Sequence, residues 1–252
     1  NKLLKKNIMI DLSADFRLKN PKIYNKYYGI KHKSLDNLKK SVYGLSEINK
    51  KNLSKAKIIA CPGCYPTSIL LPLFPLIKKN LIDFKNIIID SKSGFSGAGR
   101  GVHKKFKNKN LYGSTSAYGI GSHRHNAEIQ QELSYIKKNI EFTFTPHILP
   151  MFRGILSTIY LNYKSKANLN KIYNELRRFY MSHKFIKILK NKALSTNDVI
   201  NTNNCQISVC KSKDKKKLII LSSIDNLIKG GAGQAVQNLN LIFNFKLNEG
   251  LK

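Results

Sequence analysis

Short apolar runs separated by lysine- and asparagine-rich stretches set the rhythm of this chain. The runs "IMID" (8–11) and "KIIA" (57–60) have the length of strands, and the second stops at the turn-forming pair Pro62 and Gly63. Residues 65–79 are largely apolar and predict a buried helix; Pro66 suits its first turn, whereas Pro72 and Pro75 are expected to kink it or end it early. "NIIID" (86–90) reads as another strand and leads into the glycine-rich "SGFSGAGRG" (93–101). After a polar segment without periodicity, Ile129, Leu133 and Ile136 recur at helical spacing within 126–138, with Asn126 placed as the cap. "EFTFT", "GILSTIYLNY", "QISVC" and "KLIILSSI" predict four further strands, with an amphipathic helix over 168–182 between the second and third and a last helix over 233–245.

The later part of the chain is therefore an α+β layer arrangement. The first sixty residues differ: a strand and loops, no opening helix and no independent core, as in the end of a domain whose beginning is absent. There is no internal repeat and no long linker. A chain of 252 residues that is 42% hydrophobic can bury a real core. No apolar run reaches the roughly 18–20 residues that span a bilayer, and the lysine-rich start has too short an apolar stretch for a signal peptide, so a cytoplasmic protein with no membrane partner is expected.

A net charge of +31 would attract polyanions without any dedicated site. Here the basic residues are mostly Lys, lie along the whole chain and travel with abundant Asn and Ile, a mixture that A/T-rich codons produce by themselves. With neither a basic helix nor an aromatic platform, no nucleic-acid partner is expected. A small anionic substrate is favoured by the same field.

Three groups of residues carry candidate chemistry. Gly94, Gly97 and Gly99 follow a strand, but the helix that a dinucleotide fingerprint requires is not legible after them; they suit a backbone that approaches a ligand closely, or a structural turn. "GSHRHNAEIQ" sets His123, Arg124, His125 and Glu128 beside a helix start, a poor zinc spacing and a better match to an acid/base group held by a carboxylate next to an anion-binding arginine. Of the four cysteines, Cys205 and Cys210 are five apart in a strand and should point to opposite faces, which disfavours zinc. No thioredoxin-like pattern surrounds "CPGC" (61–64). Cys64, after a glycine and at a helix start where the dipole favours a thiolate, remains as a nucleophile or as a buried bystander.

The stretches "IDLSADFRL", "YGLSEIN", "PGCYPTS", "DSKSGFSGAGR", "GSHRHNAEI", "FTPHILPMFRGIL" and "SSIDNLIKGGAGQAVQNLNL" occur in the order of the motifs of the N-acetyl-γ-glutamyl-phosphate reductases, NADPH-dependent enzymes of arginine biosynthesis, and the chain resembles that family over about residues 8–247. The resemblance implies a fold shared with glyceraldehyde-3-phosphate and aspartate-semialdehyde dehydrogenases: α/β plus α+β, the C-terminal remainder of a Rossmann-type NADP domain (1–62), an α+β catalytic and dimerisation domain (63–225), and a C-terminal helix packing back on the first (226–252). It implies a cysteine thioester route from an acyl phosphate to a semialdehyde. Cys64 would be the nucleophile, His123 the acid/base with His125 close behind it, and Glu128 a further catalytic residue. Tyr118, His125, Arg17 and Arg153 would meet the substrate; Ser93, Gly94, Gly97, Asn226 and Lys229 would meet NADP; no metal is implied. A homodimer or homotetramer is expected.

This chain departs from the family in carrying Cys61 where Asn is usual and Ala127 where Pro is usual, and in lacking the strand, glycine-rich turn and helix that bind the pyrophosphate. Weak cofactor binding follows if the chain is truly that short. Alternatives are a sister aminoadipyl-phosphate reductase of lysine synthesis, or a remnant without catalysis.

Overall fold

The computed structural model describes residues 2–98, 113–164 and 167–252, so Gly99 lies outside the described residues. The first unit is a three-stranded parallel sheet, β1 (Met9–Asp11), β2 (Val42–Tyr43) and β3 (Ile58–Ala60), in the order β1-β3-β2. Contrary to the loops expected there, helix α1 (Lys2–Lys6) precedes β1, and α2 (Pro21–Tyr28), α3 (Leu35–Lys40) and α4 (Ser46–Leu53) connect the strands. The signals for α2 are boundary signals rather than apolar periodicity: the Asn20 side chain accepts from the Lys22 and Ile23 amides, Pro21 begins the helix, and Gly29 ends it at φ 71°. Two small apolar clusters lie here, one of Leu53, Ala56 and Ile59 with Leu241, the other of Leu18 and Tyr24 with Ala127. Each borrows a residue from far along the chain, so the unit is completed by elements outside it.

The second unit is a seven-stranded sheet in the order β5-β6-β4-β7-β10-β9-β8. Its strands are β4 (Ile87–Gly94), β5 (Ser116–Ala117), β6 (Phe142–Leu149), β7 (Ile155–Asn162), β8 (Ile186–Lys190), β9 (Cys205–Lys211) and β10 (Lys217–Ile224). One face is covered by α5 (Cys64–Lys78), α6 (His125–Ser134) and α7 (Leu169–Tyr180), and the core between them joins Ile69, Leu73, Ile129 and Leu176 to Ile89, Ile159, Ile207 and Ile220. Alternation puts the partnered pair Ile88 and Tyr160 on the opposite, exposed face. Cys205 is buried and Cys210 half-exposed, on the two faces of β9. β8, not anticipated, reads "IKILK", an edge strand whose lysines break the apolar run.

Helix α5 continues through both internal prolines, against expectation. Pro75 has no N–H for the Leu71 carbonyl, and the Tyr180 hydroxyl of α7 donates to that oxygen at 2.5 Å instead. Tyr180→Phe should therefore cost about 1–3 kcal/mol in a urea titration, because the carbonyl is left buried without a donor. A midpoint equal to that of the parent chain would remove this explanation. The ends of two other helices also moved. Helix α6 starts one residue before Asn126 and leaves Ile136 outside, and α8 (Gly233–Ile242) stops before Asn244, whose φ of 55° is left-handed.

Candidate active site

Cys64 is the first residue of α5, and Gly63 caps that helix with extended backbone. The turn is held from behind by a buried carboxylate: Glu128 Oε1 accepts the Gly63 N–H at 2.7 Å and the Tyr43 hydroxyl at 2.7 Å. The Arg17 guanidinium lies 3.6 Å from Glu128 Oε2 and donates to the carbonyls of Cys61 at 2.7 Å and Leu12 at 3.0 Å. Glycine is required at two positions around the thiol. A Cβ on Gly63 would lie 2.4 Å from Nε2 of His125, and one on Gly230 would lie 2.7 Å from Cβ of Cys64.

Cys64 opens into a cavity of about 290 Å³ with Tyr27, Tyr65, Ser93, Gly94, Gly97, Tyr118, His123, Arg124, His125 and Ile148. The His123 ring sits among Tyr65, Tyr118, His125 and Phe144 with centroids 4.7–5.7 Å away. Its Nδ1 accepts the His125 backbone N–H at 3.1 Å, so the neutral ring carries its proton on Nε2. Burial, reinforced by the positive neighbours His123, Arg17 and Arg124, holds His125 well below its usual range and hence neutral. The Tyr118 hydroxyl donates to that of Tyr65 at 3.1 Å, which donates to the His147 carbonyl at 3.2 Å. A larger groove of about 720 Å³ lies alongside α2 and α6, but its lining includes neither Cys64 nor His123.

Burial pushes the Cys64 thiol up to about 11; the Tyr65 N–H and Arg17 pull it down, and Glu128 raises it. The helix start alone thus does not deliver a thiolate. Cys61 is pushed to about 11 and Cys205 to about 12 by burial as well. A thiol raised in the folded state stabilises fully below its unfolded value, near 9, and that stabilisation is lost as pH climbs through the folded value. The urea midpoint should fall between pH 8.5 and about 11, and iodoacetamide alkylation of the free chain should still be accelerating across that range. A plateau in alkylation near neutral pH would contradict this.

The predicted residues separate into two groups. Cys64, His123, His125, Tyr118, Ser93, Gly94 and Gly97 meet in the cavity, with Glu128 directly behind the cysteine turn. Arg17, Arg153 and Lys229 are committed elsewhere. Arg17 is buried under the turn, and Arg153 binds Asn201 at 2.9 Å and Asp225 at 3.3 Å. Lys229 is fully buried with its ammonium 2.5 Å from Glu47. Asn226 accepts the Gly154 N–H at 2.7 Å and donates to Ser96 at 2.9 Å, which fixes the glycine loop from below. Gly94 is glycine because a Cβ would meet the Phe152 carbonyl at 2.5 Å, whereas a Cβ on Gly97 would make only ordinary contacts, 3.4 Å from Ser93 Oγ and 3.5 Å from Asn226 Nδ2. Cys61 points away from the cavity, its sulfur 3.8 Å from the Asn238 amide nitrogen, so the exchange from the usual Asn is felt by α8.

Sequence reasoning missed Tyr65 and Tyr27, and read Arg124 as an anion-binding arginine of the histidine motif without counting it among the substrate residues. Tyr65 adjoins the nucleophile, and Arg124 stands between the two histidines, so adjacency was the available signal. Arg124 is the one permanently charged side chain lining the cavity among the described residues, and it engages no acidic partner among them.

The seven-stranded sheet carries a helix-start cysteine that shares a cavity with two histidines, and the stretch that holds them matches a known class. Residues 64–226 match the model of the semialdehyde dehydrogenase dimerisation domain. Aspartate semialdehyde dehydrogenase II of Vibrio cholerae superposes with a TM-score of 0.64 at 14% identity, covering 84% of this chain and 70% of that one, which shows the fold. Among curated relatives, the N-acetyl-gamma-glutamyl-phosphate reductase of Campylobacter jejuni subsp. doylei is 46% identical over 99% of this chain and 74% of its own length. That of Alkaliphilus metalliredigens is 46% identical over 97% of this chain and 71% of its own. The chain belongs to the N-acetyl-γ-glutamyl-phosphate reductase family, and spans about three quarters of the length of these relatives.

Proposed function

We propose that the chain carries out the reductive dephosphorylation of N-acetyl-γ-glutamyl phosphate to N-acetylglutamate 5-semialdehyde, a step of arginine biosynthesis in the cytoplasm. The observation that supports it most is the cavity that gathers Cys64, His123 and Arg124 in a member of that family. Cys64 sulfur attacks the acyl carbon as its S–H bond breaks, the C–O bond to phosphate breaks, and inorganic phosphate leaves with the thiol's proton, generating a Cys64 thioester. NADPH, when bound, supplies the hydride that reduces the thioester carbonyl. His123 holds the developing oxyanion by a hydrogen bond from Nε2–H; collapse of that oxyanion re-forms the C=O bond of the semialdehyde and expels the Cys64 sulfur as a thiolate, which takes a proton from solvent. Arg124 takes the anion-binding role expected of Arg17 and Arg153, with Tyr118 and His125 lining the substrate.

Gly97 and Ser93 line the cavity on a loop fixed by Asn226, which suits the nicotinamide end of the cofactor; Lys229, buried with Glu47, does not reach it. We assign residues 1–62 to the remainder of the NADP domain, 63–225 to catalysis and dimerisation, and 226–252 to the segment that returns to the first. The exposed sheet face with Ile88 and Tyr160 suits a second copy.

The test uses a half-reaction that needs no nicotinamide. N-acetyl-γ-glutamyl phosphate mixed with the chain should release one phosphate per chain and add one acyl group to Cys64 by intact mass. An unmodified chain would overturn the reading. A burst with the aminoadipyl analogue that outruns it would instead assign the sister reaction.

A further inference from the structure

The fully buried Lys229 has no place in the chemistry above, and its surroundings form a built site. Its ammonium is bound by Glu47 at 2.5 Å and by Gln237 Oε1 at 2.8 Å, and it lies over the Phe185 ring at 5.7 Å. Gln237 closes the triangle by donating to Glu47 Oε1 at 2.8 Å, and itself accepts from Asn203 at 2.9 Å. Burial alone would raise the Glu47 carboxyl; Lys229 and Gln237 outweigh it and hold it below the usual carboxylate range. The triangle joins α4 of the first unit, α8, and the segment Ile228–Ala232, which winds with the wider hydrogen-bond spacing of a π-turn. That wider turn is closed by the Gly230 N–H on the Asp225 carbonyl at 2.9 Å and the Ala232 N–H on the Leu227 carbonyl at 2.8 Å.

The neighbour of Lys229 in this turn is Gly230, the residue packed so tightly on Cys64 that a Cβ there would lie 2.7 Å from Cβ and 3.0 Å from Cα of the cysteine. An ion pair replaced by apolar side chains of similar volume commonly costs no stability, so stability alone does not account for a charged triangle at this depth. Directional bonds to a single ammonium fix a backbone in a way that apolar contacts do not.

We propose that Glu47, Lys229 and Gln237 are positioning residues for the reactive cysteine: the triangle sets the Gly230 turn, and the turn sets where the Cys64 sulfur stands and how well it is shielded from water. Glu47 belongs to the first unit, so the geometry of the thiol depends on the docking of that unit on α8. This rests on the assignment of Cys64 as the nucleophile, and the experiment separates the two.

The test is a chain carrying Glu47→Met and Lys229→Met together, with Gly230→Ala as a second variant that disturbs the turn directly. Both are read by phosphate burst, by iodoacetamide alkylation of Cys64 and by urea unfolding. The double variant should unfold near the parent midpoint and keep the acyl-phosphate concentration for half-maximal burst rate within about twofold, yet acylate Cys64 about tenfold or more slowly, as expected when reacting atoms are misplaced by a fraction of an ångström. Alkylation should move the other way, faster by about threefold or more, because a loosened turn admits water to the sulfur. Gly230→Ala should reproduce the slow acylation, and combining all three substitutions should add little to it. A double variant with parental acylation and alkylation rates would overturn the proposal. If the double variant fails to fold, Gly230→Ala decides: parental rates there sink the proposal. If the parent chain shows no burst, the alkylation rates still decide whether the triangle positions the thiol, and it is the functional assignment that falls.

Discussion

Cys64→Ser should release no phosphate from N-acetyl-γ-glutamyl phosphate and carry no acyl group, a loss of about 10⁴- to 10⁶-fold, the range seen when a nucleophile is removed from an otherwise intact site. The hydroxyl occupies the position of the thiol at the first residue of α5 and is smaller, so the Gly63 and Gly230 contacts are undisturbed. Its oxygen is far less acidic than sulfur, and nothing around it is arranged to activate an alcohol: the surroundings already push the thiol up to about 11. Unfolding should be unaffected within about 0.5 kcal/mol, typical of a substitution that breaks no packed contact. A phosphate burst that survives in the serine chain would move the nucleophile elsewhere, and Cys61, buried against Asn238, would not be the alternative.

Glu128→Ala should have the largest effect on stability. The carboxylate is 1% exposed, accepts the Gly63 N–H and the Tyr43 hydroxyl, and faces Arg17. Its removal strands a buried guanidinium without a counter-charge and leaves two donors unpaired, a cost of about 3–5 kcal/mol for breaking such a pair. The urea midpoint measures it. Glu128→Gln is the informative partner, because the amide oxygen still serves the Gly63 N–H while the charge is gone. It should recover part of the stability and more of the acylation rate than alanine does. If alanine unfolds at the parental midpoint, Glu128 does not hold the cysteine turn and its place is in the substrate chemistry alone.

These two residues mark how far each level of description reaches. The motif "PGC" and the histidine pair were legible because helix starts, glycine turns and close sequence neighbours are local properties. The strands of the seven-stranded sheet were legible because β-branched runs bounded by polar residues have few other uses. The first unit was misread as loops because its helices are short, largely polar and announced only by Asn20, Pro21 and Gly29. The passage of α5 through Pro75 was misread because the Tyr180 hydroxyl that satisfies Leu71 comes from a helix more than a hundred residues on.

By itself the sequence determined the family, the alternation of strands and helices, and the identity of the thiol and imidazoles that meet in the cavity. Only the tertiary structure decided which charged residue reaches that cavity. Arg17, Arg153 and Lys229 carry the same formal charge as Arg124; its place between the two histidines marked Arg124 locally, but nothing local showed that the other three turn away. Their destinations depend on acceptors distant in sequence: Glu128 for Arg17, Asp225 for Arg153, and Glu47, 182 positions away, for Lys229. A long basic side chain goes to the nearest buried carboxylate that packing supplies, since an unpaired charge in the interior is too costly to leave. That carboxylate exists only once the two sheets and α8 have come together.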